Sequence, residues 1–538
     1  MTPESAHDRR WMIGVGVAVA LFLLHASRYW HYVNDDAYIT LRYSRFLATG
    51  LGPNFNPGEA VEGYTNFSWM VLLAGLFPFV GEDSLPLVAK ALGVLAQAAA
   101  LGATGALVRH GLAGNDQRTG GSAALPALAV LLCAASPSIA LNSTSGLETG
   151  FFSLCLAMGL LAAVVEVQGG QFRGAAIWLG LGALTRPEGV GIALGAWALQ
   201  AIAERRPRPA VRNAAILAAI VGGHLAFRLS AYDGEWLPNT NWAKQGGFWA
   251  ISPANYVWGG VRGFSCLGVL FLAPGVGLLS AARRMPAILI PTGAALAGLL
   301  FPLATGSDWM LGYRLLAPYL PPLAAVVVIC ASAGFERWFS SVLPARALPA
   351  SLLIAAGVSF GLQRAEGEFW LTETRVRAEG YRTGHEALAS WLSTHASPGD
   401  LIATMDVGIL GYRNPRLRFL DVSGLTDRLI AKSPGGFLAK TYDPAYVLDQ
   451  KPRFIVLTYT ADGTPYAEPP HGTRFAHWTA AEAAIAESPS FIESYRHTHR
   501  VASSGGWTDA LADHMGAEAI FQHAEPGLIY LLVVFERS

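Results

Sequence analysis

The chain has 538 residues, of which 52% are hydrophobic and 14% are charged, whereas an ordinary soluble domain carries about 25% charged residues. This fraction of charged residues is too small to cover the surface of a water-soluble protein. The composition therefore predicts that most of the chain lies in a lipid bilayer. Basic and acidic residues number 38 each, so the net charge is zero. The sequence therefore offers no basic surface for a nucleic acid.

Apolar stretches of about 20 residues, the length that crosses a bilayer, recur along the first two thirds of the chain. A shorter apolar run at residues 67–80 precedes Gly81-Glu82-Asp83. Its length predicts a helix that lies along the membrane rather than a span. Eleven transmembrane helices are predicted, beginning near residues 11, 85, 123, 147, 174, 189, 211, 264, 286, 314 and 345.

The distribution of arginine predicts the orientation of these spans. With eleven spans, the loops that hold Arg10, Arg109 and Arg283/Arg284 all fall on the cytoplasmic side, as the positive-inside rule requires. The N-terminus is then cytoplasmic, and a set of polar loops faces outward. These outer loops are residues 30–84, 142–147, 231–263 and 304–313.

Composition changes near residue 365 toward charged residues, histidine and proline. We therefore predict a membrane domain at residues 1–364 and an extracytoplasmic domain at residues 365–538. Alternating elements in the second domain predict an α/β sheet. The predicted helices are residues 381–395 and 480–487, and the predicted strands are residues 401–405, 417–421, 453–459 and 528–536.

The densest polar segment, residues 34–69, follows the first span directly. Its adjacent carboxylates, Asp35 and Asp36, repel each other, and a membrane surface raises the cost of ionising both, which can tune one of them as a general base. Alternatively, an aspartate here could simply cap the helix predicted at residues 37–48. Asp35 is the better placed of the two for capping, so Asp36 is the preferred base.

The same outer loop adds charged and aromatic side chains within a turn-rich stretch. Long ordered loops on rigid scaffolds are common places for binding and catalysis. A purely structural alternative pairs Arg42 with Asp35 or Glu59. The candidate substrate-binding residues of this loop are Arg42, Glu62, Tyr64 and Asn66.

Further charged side chains stand at the outer ends of the predicted spans, where a charge is costly and usually has a partner or a function. The cations Arg186, Lys244 and Arg314 could hold a phosphate or diphosphate group. The alternative is a set of salt bridges that join Arg186 to Glu188 and Asp308 to Arg314. The candidate binding residues of this group are Glu148, Arg186, Glu188, Lys244, Asp308 and Arg314.

Metal binding is the least favoured use of these groups. Asp35, Asp36, Glu148 and Asp308 could supply oxygen ligands to a divalent ion, but no DxD-type spacing occurs in the sequence. The four cysteines lie in apolar runs without CxxC spacing, which indicates neither a zinc site nor a disulfide framework. We therefore predict no essential metal and no cofactor.

The motif DDAYITLRYSRF at residues 35–46, with SGLET at 145–149, LTRPEG at 184–189 and GSDWMLGYRLLAPYLPPL at 306–323, resembles bacterial arabinofuranosyltransferases of the GT-C superfamily. Enzymes of this kind add terminal β-1,2-arabinofuranose to mycobacterial cell-wall arabinan or modify pilins. The likeness extends more weakly to DVGILGY and FLDVSGLTD in the C-terminal domain.

The resemblance implies an inverting transferase in the inner membrane of a bacterium. It would move a sugar, in these relatives arabinofuranose, from a polyprenyl-phosphate donor to a glycan or pilin-like protein acceptor on the outer face. Asp35 and Asp36 match the catalytic carboxylates, one of which would take the acceptor proton. Arg186, Lys244 and Arg314 would stabilise the departing lipid phosphate.

Two other functions fit parts of the sequence. Many spans with charges at membrane depth are also typical of a transporter or flippase of lipid-linked sugars, although no inverted repeat is detectable. A non-catalytic membrane scaffold would leave the polar loop at residues 30–66 without a role. The glycosyltransferase is therefore the preferred hypothesis.

Overall fold

A computed structural model describes most of the chain. The described ranges are residues 3–112, 123–170, 174–204, 207–245, 251–262, 277–338, 340–341, 347–461, 476–477, 479–503 and 529–538. The span predicted from residue 264 begins outside these ranges.

Helices form most of the described residues up to Gly380. Their bounds are α1 (Pro3–Ser27), α2 (Asp35–Ala48), α3 (Phe67–Leu112), α4 (Ala124–Ala134), α5 (Pro137–Thr144), α6 (Thr149–Val167), α7 (Ala175–Thr185), α8 (Glu188–Glu204), α9 (Pro207–Ala231), α10 (Asn239–Ala243), α11 (Pro253–Arg262), α12 (277–284), α13 (Leu289–Thr305), α14 (Leu320–Trp338) and α15 (Ala347–Gly380). Among the described residues, six helices are long and apolar enough to cross a membrane, and the bent pair α4–α5 could form a seventh span.

Two predicted spans are shorter in the structure than a straight membrane crossing. The stretches from residues 174 and 189 form α7 and α8, which have 11 and 17 residues. Arg186 between them is extended, with φ −145° and ψ 134°, because the ring of Pro187 disfavours a helical residue before it. The break places the LTRPEG motif at the junction of two helices.

Helix α3 combines the predicted surface helix at residues 67–80 with the span predicted from residue 85. Gly81 between the two has φ 74°, a left-handed conformation that kinks the helix and that glycine adopts without steric cost. Beyond the kink, α3 packs along α6 and α14, and α1 packs against α4. Buried Phe22, Leu101, Val130 and Val328 belong to the core that these helices share.

Helix α15 runs without interruption past residue 365 and joins the membrane helices to the C-terminal region. A π-helical turn at Tyr381–Glu386 continues it into the next helix. The remaining helices are α16 (Ala387–His395), α17 (Gly408–Arg413), α18 (Arg428–Lys432), α19 (Ala445–Leu448), α20 (Ala480–Glu487) and α21 (Pro489–Ser494).

A mixed sheet forms the core of the C-terminal domain. Its order is β2-β1-β3-β6-β5, with β1 parallel to β2 and β3, and with β6 antiparallel to β3 and β5. The predicted strands are confirmed, whereas β5 was not predicted. The strands are β1 (Leu401–Thr404), β2 (Arg418–Asp421), β3 (Phe454–Ala461), β4 (Ala476–His477), β5 (Tyr495–Ser503) and β6 (Ile529–Arg537).

The first outer loop packs into this C-terminal domain. Tyr43 and Phe55 from the loop share a buried core with Leu410 and Phe419 from the domain. The polar segment after the first span is therefore fixed between the membrane helices and the sheet, which holds it in a defined position.

Candidate active site

Helix α2 begins at Asp35, and the residue before it caps the helix. The side chain of Asn34 accepts a hydrogen bond from the backbone N–H of Asp36 at 2.9 Å. Asn34 is itself held, because its amide donates to the Tyr32 hydroxyl and its backbone N–H donates to the carbonyl of Ser145. The prediction that Asp35 caps the helix is therefore wrong; asparagine caps a helix as well as aspartate does, and it stands one residue earlier.

The side chain of Asp35 points toward the C-terminal domain. Its Oδ1 accepts a hydrogen bond of 2.7 Å from the backbone N–H of Ile409. Burial raises the pKa of Asp35 to about 7; the nearby His385 opposes this rise, and the carboxylate of Asp406 adds to it. Asp35 is thus a buried carboxylate with a fixed main-chain partner.

Asp36 faces a cavity of about 840 Å³. Within the described part of the chain, no group donates a hydrogen bond to its carboxylate. Burial raises the pKa of Asp36, while the positive charges of Lys244 and Arg314 pull it down. Asp36 is therefore the aspartate of the pair that is available to a substrate.

The four predicted outer loops meet around this cavity. The first supplies Asp36, the second Leu147, the third Lys244 and the fourth Asp308. Residues that are more than 250 positions apart in the sequence thus line one cavity. The sequence indicated such an arrangement by placing these loops on the same face of the membrane.

Charged side chains form a chain of alternating sign along one side of the cavity. Arg186 Nε lies 3.0 Å from Glu148 Oε1, and its Nη1 lies 3.7 Å from Glu188 Oε1. Arg314 continues the series, with Nε 2.8 Å from Asp308 Oδ2 and Nη1 3.7 Å from Glu148 Oε1. The salt-bridge alternative is therefore correct for both predicted pairs.

The three predicted phosphate-binding cations differ in their surroundings. Arg186 is buried, donates to Thr149 and does not line the cavity, whereas Arg314 does line it. Lys244 also lines the cavity, and no described residue accepts a hydrogen bond from its ammonium, which lies 5.3 Å from the ring of Phe437. Lys244 is thus the cation with the most unused hydrogen-bonding capacity.

The candidate residues of the first loop divide into those that line the cavity and those that do not. Tyr64 and Asn66 line it; the Tyr64 hydroxyl lies 2.9 Å from that of Tyr232, and the Asn66 amide donates to Glu148 Oε2 at 3.0 Å. Glu62 lies beside the cavity and accepts two hydrogen bonds from Arg228. The carboxylate of Glu62 is therefore already bound by an arginine of the same chain.

Arg42 lies outside the cavity lining, contrary to its prediction as a substrate-binding residue. Its guanidinium is fully buried and donates to backbone carbonyls on both sides of an interface. The acceptors are Phe55 at 2.7 Å and Leu417 at 2.9 Å, with Gly411 and Asn414 completing the set. Arg42 pairs neither with Asp35 nor with Glu59; it joins the first loop to the C-terminal domain.

A group of polar residues behind Asp35 was not predicted. His385 Nε2 lies 3.1 Å from Asp406 Oδ2, and the Tyr530 hydroxyl donates to the same oxygen at 2.6 Å. Burial lowers the pKa of His385, but the hydrogen bond and the charge of Asp406 raise it above the usual value overall. Of the three residues only Asp406 lies in a noted motif, DVGILGY, so the sequence carried a partial signal for this group.

The architecture is similar to that of ArnT from Cupriavidus metallidurans in its apo crystal structure. The TM-score is 0.52 at 14% identity, with coverage of 83% of this chain and 92% of that chain. The protein is therefore a polytopic α-helical membrane protein with the GT-C fold and a C-terminal domain that contains a sheet.

The sequence is similar to two proteins named terminal β-(1→2)-arabinofuranosyltransferase. Identity is 30% over 365 residues with the protein from Mycobacterium tuberculosis, covering 59% of this chain and 55% of the relative. For the Corynebacterium glutamicum protein it is 28% over 356 residues, covering 58% and 50%. The chain thus spans about half the length of the curated relatives it matches. These relatives confirm the predicted resemblance.

The C-terminal domain has a separate match. Residues 371–508 match a family described as a domain of unknown function, DUF8728. This segment begins within α15 and includes Gly408 and Ile409 at the start of α17, which contact Asp35.

Proposed function

We propose that the protein transfers a sugar, arabinofuranose, from a polyprenyl-phosphate donor to a hydroxyl of a cell-envelope glycan or pilin-like protein. The observation that carries the proposal is that the Asp36 carboxylate and the Lys244 ammonium, neither of them hydrogen-bonded to a described residue, line the same cavity. Transfer from a lipid phosphate needs both charges, because one group must accept a proton while another stabilises a departing anion. The names of the relatives from Mycobacterium tuberculosis and Corynebacterium glutamicum support the choice of sugar.

The reaction follows from these two charges. The acceptor hydroxyl oxygen attacks the anomeric carbon of the donor sugar, and Asp36 takes the hydroxyl proton. The bond between the anomeric carbon and the phosphate oxygen breaks, and its electron pair leaves with the lipid phosphate. Attack opposite the leaving group inverts the configuration at the anomeric carbon.

The leaving phosphate would bind to Lys244 and to the cavity face of Arg314. Lys244 has no protein acceptor among the described residues, so it can give all three of its N–H bonds to phosphate oxygens. Arg314 is already bonded to Asp308 at 2.8 Å and adds a fixed positive charge. Glu148 and Asp308 are paired with arginines, which supports a reaction that needs no metal ion.

The polyprenyl chain would enter from the lipid between α8, α9 and α13. These helices supply apolar side chains to the cavity wall, namely Val190, Val221 and Phe301. Few of the described residues of α9 are buried by the rest of the protein, as expected for a helix that contacts lipid. An apolar wall facing the membrane and a charged end at the outer loops suit a lipid phosphate.

The cavity is placed at the outer face of a bacterial inner membrane in this proposal. The basis is the positive-inside rule, which keeps the arginine-rich loops on the cytoplasmic side. A cysteine introduced at exposed Asp83, beside the kink in α3, should react with a membrane-impermeant maleimide in intact cells. Protection until the cells are lysed would contradict this orientation.

The direct test is sugar transfer by purified protein in liposomes. Radiolabelled polyprenyl-phosphate arabinofuranose is the donor, and a short arabinan or a pilin peptide is the acceptor. Transfer by the wild type, and a loss of at least about a hundredfold in Asp36→Asn, would support the proposal. Release of label without transfer to either acceptor, or equal transfer by both proteins, would contradict it.

A further inference from the structure

The C-terminal domain approaches the catalytic loop closely at Gly408. A Cβ atom at this position would overlap the main-chain oxygen and the carboxylate of Asp35. Only a glycine lets the two backbones meet this closely. The contact therefore depends on the identity of Gly408 and is sensitive to a single methyl group.

The next residue makes the contact specific. The backbone N–H of Ile409 donates to Asp35 Oδ1 at 2.7 Å, and a hydrogen bond to a buried carboxylate is among the stronger kinds in proteins. The Ile409 side chain is buried in a cluster with Leu41 of α2 and Tyr412. Helix α2 is thus held by both polar and apolar contacts from the start of α17.

The segment at residues 406–411, which leads into α17, is anchored at its beginning. Asp406 precedes Gly408 by two residues, and one of its carboxylate oxygens accepts hydrogen bonds from His385 and Tyr530. His385 belongs to the π-helical turn after α15, and Tyr530 belongs to β6. The segment is therefore connected to both the long helix and the sheet.

We propose that residues 406–411, fixed by His385 and Tyr530, form a positioning element that sets the carboxylate of Asp36 in the cavity. The connection runs through Asp35, because fixing one residue of a helical turn fixes its neighbour. None of His385, Asp406 and Gly408 lines the cavity, so these residues act on Asp36 and do not touch the substrate. The proposal rests on the proposed function, because it assigns a role in the same transfer reaction.

The first test is Gly408→Ala, with Gly75→Ala as its matched control. Nothing lies within 4 Å of a Cβ at Gly75, which is on the exposed face of α3. Gly408→Ala should lower kcat about a hundredfold, the loss expected from a misplaced catalytic group. KM for the lipid donor should stay within about twofold of the wild type, because Lys244 and Arg314 belong to other elements. An unchanged kcat in a folded Gly408→Ala protein would overturn the proposal.

The second test compares His385→Leu with His385→Gln. A glutamine amide can replace the Nε2 hydrogen bond to Asp406, whereas leucine cannot. We expect His385→Leu to lower kcat about tenfold or more and His385→Gln to recover most of it. Equal activity of the two variants would overturn the role of this hydrogen bond.

Amide hydrogen exchange tests the contact without any enzymatic assay. Asp35→Ala should speed exchange in the peptide that contains Ile409, because its N–H loses the carboxylate acceptor. Asp36→Ala, the matched control, should leave that peptide protected. Equal protection in both variants would overturn the proposal even if the transferase function is correct. Conversely, faster exchange in Asp35→Ala together with a wild type that transfers no sugar would overturn the function and leave the structural contact in place.

Discussion

The two aspartates at the start of α2 are neighbours in sequence but differ in how their carboxylates are satisfied. Asp35 has a main-chain donor at 2.7 Å and packs against a glycine of the C-terminal domain. Asp36 faces the cavity, and no described residue donates to its carboxylate. A group whose bonding is complete can fix geometry, whereas a group with free lone pairs can take a proton.

The same contrast separates the cationic residues. Arg42 and Arg186 are buried and bonded to protein acceptors, whereas Lys244 and part of Arg314 face the cavity. Buried charges persist only when they are paired. The contrast therefore assigns structural roles to the first two arginines and chemical roles to the cavity residues, and each assignment can be tested separately.

Among the cationic residues, the largest effect is expected at Lys244. Lys244→Met removes the cation that would stabilise the leaving phosphate, and transfer should fall by about a hundredfold, as when one preorganised donor is removed from an active site. Lys451→Met is the matched control, since Lys451 is exposed on the C-terminal domain. Transfer rates at saturating donor would measure both. Equal rates would remove Lys244 from the site.

Replacement of Arg42 should lower the stability of the fold more directly than it lowers the rate of sugar transfer. Arg42→Met leaves buried carbonyls of Phe55 and Leu417 without a donor, and we expect a loss of about 3 kcal/mol in the free energy of unfolding. Arg45→Met on the same helix breaks a single, partly buried ion pair with Glu82, which we expect to cost about 1 kcal/mol. Thermal unfolding in detergent compares the two. A smaller loss for Arg42→Met would contradict its structural role.

Features of the site that depend on neighbouring residues could be predicted from the sequence, whereas contacts between distant residues could not. The polar loop, the four outward segments and most strands follow from local patterns of charge and hydropathy. The role of Arg42 does not, because its acceptors Gly411 and Leu417 lie about 370 residues away and are backbone carbonyls. Asn34 was missed as the cap because it and Asp35 differ by one position and are equally good caps.

Two elements of the C-terminal domain were hidden for other reasons. Strand β5 carries the sequence YRHTHRVAS, whose polar residues give no apolar alternation. His385 is a single histidine in a helical segment, and nothing local distinguishes it from a surface residue. Its partner Asp406 is 21 residues away and Tyr530 is in the last strand. Only the fold brings them together.

Lys244 should also affect the pH dependence of transfer, although less than it affects the transfer rate itself. Asp36 must be ionised to act as a base, so the rate falls when the pH drops through its pKa. Lys244 lowers that pKa against the effect of burial. The residual activity of Lys244→Met should therefore begin to fall at a higher pH than that of the wild type as the solution is acidified. A fall that begins at the same pH, or at a lower pH, would contradict the proximity of these charges.

The smallest effect is expected from metal removal. Because Glu148 and Asp308 are bonded to arginines, treatment with EDTA should leave the transfer rate within about twofold of the untreated protein, well below the hundredfold scale of losing a catalytic group. Magnesium and manganese added back afterwards provide the control. Loss of transfer on chelation and recovery with either ion would assign a metal to the site.

The measurement that tests the central contrast most directly is single-turnover transfer by Asp36→Asn and Asp35→Asn with saturating donor. Asparagine at residue 35 can still accept the hydrogen bond from Ile409, whereas asparagine at residue 36 cannot take the acceptor proton. The structure predicts a loss of at least about a hundredfold for Asp36→Asn and a loss of less than about tenfold for Asp35→Asn. The reverse order would contradict the assignment of Asp36 as the base and of Asp35 as its support.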